Sequence, residues 1–152
     1  MTNLNSLFMD ALLQIIPALP LLVTIYGVIV RKRFFFLLGF TIYGFIVVPA
    51  ELNSYFSSGG LSHLIVAALF GAQIIIAFPK KLTYDGSKAY KFFAIKTILA
   101  LIVINVIGVF VVKNDPNIPD VCMYYHSLFV IFCCIATFKI LTNRIPIQSE
   151  NS

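Results

Sequence analysis

IYGVIVRKRFFFLLGF, residues 25–40, sets three positive charges between two runs of nearly pure hydrocarbon. In water, both runs would need a core to cover them. In a bilayer, the runs are crossings and the charges mark one face of the membrane. The rest of the chain decides between the two. Hydrophobic residues make up 60% of the 152 positions and charged residues 11%. A soluble domain carries about 25% charge to keep its surface in water. With a mean hydropathy of +0.96, the surrounding medium is read as lipid.

Five runs are long enough to cross: 11–30, 34–51, 61–78, 92–112 and 121–141. Each is close to the ~20 helical residues that span a ~30 Å hydrocarbon core. None alternates with period two, and barrels need many shorter segments. The charges test the count. With five crossings, Arg31, Lys32, Arg33, Lys80, Lys81, Lys88, Lys91, Lys96, Lys139 and Arg144 fall on one side, leaving only Lys113 on the other. Asp10, Glu51, Asp115 and Asp120 fall opposite the basic group. Dropping or merging any run scrambles this asymmetry. The expectation is an all-α, polytopic transmembrane helical bundle of five helices, N-out/C-in, with the basic side cytoplasmic.

Residues 1–10 read as an outer segment, 11–142 as the membrane domain and 143–152 as a cytoplasmic tail. The first residues lack the basic region and cleavage site of a signal peptide, and neither end carries a lipidation box. The expected location is a multi-pass position in a cell membrane, a bacterial cytoplasmic (inner) membrane or its equivalent. The net charge of +5 sits between apolar runs rather than along a soluble face. The expected partner is therefore the lipid bilayer and not nucleic acid. Cys122, Cys133 and Cys134 show neither a disulfide framework nor metal-ligand spacing.

Polar side chains inside hydrocarbon cost several kcal/mol unless they are partnered. His126 stands five residues into the fifth run and steps by three and four through Cys122, Val130, Cys133 and Thr137. That small, polar seam is expected to face protein, with Phe129, Ile131, Phe132 and Ile135 turned elsewhere. His63 opens the third run, with Ala67 and Gly71 following on its face as a small-residue contact surface. Glu51 closes the second run. Gln14 shares a face with Asp10 and Ala18 in the first. Gln14, Glu51, His63 and His126 are thus expected to converge in the outer leaflet.

Such a cluster suits three chemistries. Glu51, His63 and His126 can hold a divalent metal. The group can pass protons, because imidazole titrates near neutrality. His63 and His126 can ligate a haem from both sides. The competing reading makes Glu51 and His63 solvated headgroup-level residues and His126 a helix-to-helix hydrogen bond. Gln73 and Asn105 are secondary intramembrane polar residues, Gln73 expected to bond between helices and Asn105 to share a face with Thr97, Leu101 and Gly108. Pro17 and Pro20 are expected to kink the first helix, and Lys96 to snorkel. GxSxG, HExxH, a Walker loop and paired intramembrane aspartates do not occur.

The expectation is a non-enzymatic membrane component: a small transporter or channel-like protein, or an accessory subunit. It would work as a homo-oligomer or within a larger complex, without a required cofactor. The alternative is a small intramembrane enzyme or redox or metal-binding protein using the Glu/His cluster.

Overall fold

The computed structural model describes residues 15–79, 88–114 and 120–142, with the backbone alone at 88–90. Gln14 lies outside the described residues. Five helices follow in order: α1 Ala18–Val30, α2 Arg33–Ser58, α3 Leu61–Ala77, α4 Lys88–Asn114 and α5 Val121–Leu141. Among the described residues there is no strand. The all-helical expectation holds, and α5 has the span that the apolar run predicts. α2, residues Lys91–Asn114 of α4, and α5 are long and apolar enough to cross a membrane, whereas α1 and α3, of 13 and 17 residues, are shorter.

Pro17 is the N-cap of α1 and Pro20 lies in its first turn, so the prolines stand at the start of this helix rather than at the kink expected within it. Ile16 and Pro17 form a turn, and the helix runs from Ala18. Pro20 sits in its first turn, where an N–H would have no partner in any case. Its carbonyl accepts the Thr24 hydroxyl at 3.1 Å. α1 ends at Arg31 in the left-handed conformation (φ 59°), and the Lys32 N–H closes back on Gly27 O at 3.0 Å. The chain therefore reverses within two residues. Gly27 makes the hairpin close, because a Cβ there would lie 2.7 Å from the Phe36 Cα.

α2 runs farther than the expected end at residue 51. The stretch NSYFSS, with the composition of a connector, forms its last turns. The Ser57 and Ser58 hydroxyls donate to the Asn53 and Ser54 carbonyls at 2.8 Å each, and the Gly59 N–H donates to Tyr55 O at 2.9 Å. Small polar side chains are satisfying a helix end rather than replacing it. Gly59 and Gly60, both with positive φ, then turn the chain into α3.

α2 packs between α1 and α3, α4 packs on α5, and contacts of α5 with α1 and of α3 with α4 complete the bundle. Rings fill the space between α2 and α5: Phe40 lies on Phe129 (4.8 Å between centroids), and Tyr43 lies on Phe129 (5.1 Å) and Phe70 (5.7 Å). Phe40, Leu37, Leu101, Phe129 and Cys133 are buried. The buried face of α5 is His126, Phe129, Cys133, Ala136 and Ile140. Phe129 therefore takes the inward place expected of Val130, because a ring there meets Phe40 and Tyr43. Every helix also turns apolar side chains outward, among them Leu22, Ile29, Phe45, Ile75, Phe110 and Phe138, each more than half exposed. Water does not favour so continuous an apolar exterior, but lipid does.

Candidate functional site

Two polar groupings stand out, and they are separate. The first is a hydrogen-bond circuit in the core. Gln73 Nε2 on α3 donates to the Phe40 carbonyl of α2 at 3.0 Å. Asn105 Nδ2 on α4 donates to Gln73 Oε1 at 3.2 Å and to the Leu101 carbonyl at 2.9 Å. Asn105 Oδ1 faces His126 Nδ1 of α5 at 3.0 Å, and His126 Nε2 faces the Tyr43 hydroxyl at 3.2 Å. Tyr43 is on α2, one turn from Phe40, so the path returns to the helix where it began. Four helices are tied in one loop.

The proton positions follow from the two backbone carbonyls, which only accept. Phe40 O requires the amide nitrogen of Gln73, leaving Gln73 Oε1 toward Asn105. Leu101 O requires the amide nitrogen of Asn105, leaving Asn105 Oδ1 toward His126. Nδ1 of His126 therefore carries the proton, and Nε2 accepts the Tyr43 O–H. This single arrangement gives every member a partner. Among the described residues the buried side-chain oxygen or nitrogen without one is Thr137 Oγ1.

His126 reaches the centre because α4 has no side chain where the ring lies. A Cβ on Gly108 would stand 2.7 Å from both Cε1 and Nδ1 of that ring. Gly108, Asn105, Leu101 and Thr97 do share a buried face of α4, as the helical spacing predicts. The buried threonines Thr24, Thr41 and Thr97 instead donate to carbonyls four residues back in their own helices, each at 3.1 Å.

The second grouping is Glu51 and His63. His63 Nδ1 lies 2.7 Å from Glu51 Oε2 across the Gly59–Gly60 turn, with both side chains partly exposed. A carboxylate only accepts, so Nδ1 carries the proton in this contact.

The structure thus brings Glu51 to His63, and His126 to Asn105, Gln73 and Tyr43. It does not bring His126 to the Glu51–His63 pair. Tyr43 and Glu51 are eight residues apart on α2, about 12 Å along the axis. Both ring nitrogens of His126 are already engaged. Among the described residues no three His, Cys, Asp or Glu side chains are grouped to hold a metal. The small-residue surface expected at Gly71 is open, with nothing within 4 Å of a Cβ built there. Lys96 lies over the Phe92 ring at 4.4 Å from its centroid.

Tyr43 is the member of the circuit that the sequence reading missed. A phenol in the middle of a membrane-length apolar run needs a partner as an amide does, and that signal was present. No family model, no curated protein and no solved structure matches the chain.

Proposed function

We propose that this chain is a multi-pass integral membrane protein whose five helices all cross the bilayer, with the N-terminus outside and the C-terminus inside. The membrane is a bacterial cytoplasmic membrane or its equivalent. α3, with 17 residues, is at the short end of the spanning range. α1, with 13 residues, lies within an apolar run of the sequence that begins at residue 11. Lys139 Nζ donates to the Val28 carbonyl at 3.2 Å, which supports a common basic end for α1, α2 and α5.

Its role in this reading is that of a non-enzymatic component, an accessory subunit of a larger membrane assembly or a self-associating bundle. The carrying observation is the closed circuit at the centre. Gln73, Asn105, His126 and Tyr43 spend their hydrogen bonds on one another and on two backbone carbonyls, where a conducting protein would line a path. Two of the four are amides, which do not take up and release protons near neutrality. A proton relay through His126 stops at Asn105.

Reporter fusions at each end test the topology, and opposite compartments are the expected result. Native mass in mild detergent tests the role, a species larger than one chain being expected. A monomer whose liposomes pass protons, with flux lost in His126→Phe, would replace the subunit reading with transport. The Glu51–His63 contact favours a second reading, a small redox or metal-binding membrane enzyme. A carboxylate holding an imidazole by Nδ1 is the usual support of a ligating or basic Nε2. A visible absorption band or stoichiometric metal, lost in His63→Ala, would establish it.

A further inference from the structure

The basic end of the bundle carries a feature that the core circuit does not explain. Arg31 and Lys32 are exposed at the α1–α2 turn, and Arg33 follows at the start of α2. The Lys139–Val28 hydrogen bond brings a fourth cation from α5 to the same corner. That bond uses one of the three ammonium protons. The carboxylates among the described residues, Glu51 and Asp120, belong to the opposite end. Along α2, Glu51 is about 28 Å from Lys32. Tyr26 and Phe34 flank the cations with exposed rings, Tyr26 edge-on to Phe35 at 5.1 Å. Immediately beyond them lies the outward apolar face of Leu22 and Ile29.

We propose that this corner, formed by Arg31, Lys32 and Lys139, is a docking surface for the headgroup phosphate of an anionic phospholipid. It rests on the membrane reading above but not on which leaflet the corner faces. Charge complementarity selects an anion. Continuity with the apolar exterior selects an anion that carries acyl chains, because the cations stand at the rim of the surface that hydrocarbon covers. The aromatic rings mark the depth of the headgroups. Lys139 is fixed by its bond to α1, so one cation is held in place before the lipid arrives.

The full chain, reconstituted in phosphatidylcholine bilayers containing a minor fraction of phosphatidylglycerol, provides the test. The phosphatidylglycerol retained per chain is measured by native mass spectrometry. Enrichment over the bulk fraction is expected, with a loss of about fivefold for each cation removed, so Arg31→Gln with Lys32→Gln loses about twenty-five-fold. Arg31→Lys with Lys32→Arg keeps the charges and should keep the lipid. Lys113→Gln, at the other end, should change nothing. Raising ionic strength on the unmodified chain should erase the preference, a check that needs no variant. Equal retention of both lipids, or full retention in the double glutamine variant, overturns the proposal and leaves the charges to an acidic protein partner. Failure to enter bilayers either with or without phosphatidylglycerol would instead sink the membrane reading, and this site with it.

Discussion

Asn105→Leu is the substitution that reaches farthest into the reasoning. Asn105 is fully buried and makes three hydrogen bonds, two of them to other helices. Leucine has the same branching as asparagine and suits an apolar helix, so by apolar packing alone the change should cost no more than a modest overpacking. The circuit says otherwise. Removing the amide leaves His126 Nδ1–H and Gln73 Oε1 without partners in the core. Each buried orphan costs about 1–3 kcal/mol, which gives ~2–6 kcal/mol for the pair by the same principle. Membrane measurements pull the figure down, because hydrogen bonds between helices in bilayers average ~0.6 kcal/mol when the unfolded state finds other partners. About 2–3 kcal/mol is the expected loss. A double-mutant cycle with His126→Phe isolates the coupling. Phenylalanine keeps a ring against Gly108 and Tyr43 but deletes both nitrogens. If the residues act as one network, the double variant loses at least ~0.5 kcal/mol less than the sum of the single variants. The assay is reversible unfolding in mixed micelles, with Thr97→Val as a control. Thr97 is buried on the same helix but bonds within it. A loss below ~0.5 kcal/mol for Asn105→Leu, or strict additivity in the cycle, would refute the claim that the circuit holds the bundle.

The same geometry makes three further predictions. Gly108→Ala forces a methyl group into the His126 ring and should destabilise the bundle by about 1–3 kcal/mol despite alanine's better helix propensity, read in the same unfolding assay. Gly71→Ala has open space around it and should be neutral or stabilising by up to ~1 kcal/mol; equal effects at the two sites would refute the role given to Gly108 in admitting the His126 ring. Glu51→Ala removes the carboxylate that faces His63 Nδ1 across a partly exposed turn, so global stability should fall by no more than ~1 kcal/mol. Amide hydrogen exchange over residues 59–63 should quicken, and unchanged exchange would count against a role for the pair in holding that turn.

Much of the architecture was legible because long apolar runs between charged and turn-forming stretches leave few alternatives to helices. A helix that crosses must be long and apolar, and α5 at 121–141 and α3 at 61–77 follow directly from run length. Helix ends were harder. Asn53, Ser54, Ser57 and Ser58 have loop composition, yet all four are helical, and the Ser57 and Ser58 hydroxyls donate to the Asn53 and Ser54 carbonyls at the end of α2. The site was only partly legible, for a related reason. In a helix that is apolar all round, the sequence carries little information about rotation, so Phe129 and Val130 compete for the same inward place. A ring stack with Phe40 and Tyr43, from residues some ninety positions away, decided it. Asn105 and Gln73 were visible as polar residues needing partners. That each was the partner of the other depended on the relative turn of α3 and α4. The pairing of Glu51 with His63 was easier to foresee, because only a short turn separates them.

On the proposed membrane placement, the medium also explains why the polar side chains are where they are. Between helices surrounded by acyl chains, burying another leucine gains little, since lipid is as apolar as the core. Shape and hydrogen bonds must then select one arrangement among several apolar packings of similar energy. Rings supply the shape here: Phe40, Phe129, Tyr43 and Phe70 interlock at one level. The circuit supplies direction. A one-residue rotation of α3 turns Gln73 away from Phe40 O, and a comparable rotation of α5 strands His126, each leaving buried donors with no water to accept them. Those errors are costly in lipid, where a misplaced leucine is not. A bundle specified in this way is rigid at its centre and free to vary on its apolar exterior. Such an exterior suits a component that presents an outer face to lipid or to other membrane proteins better than one that must open its core to pass cargo.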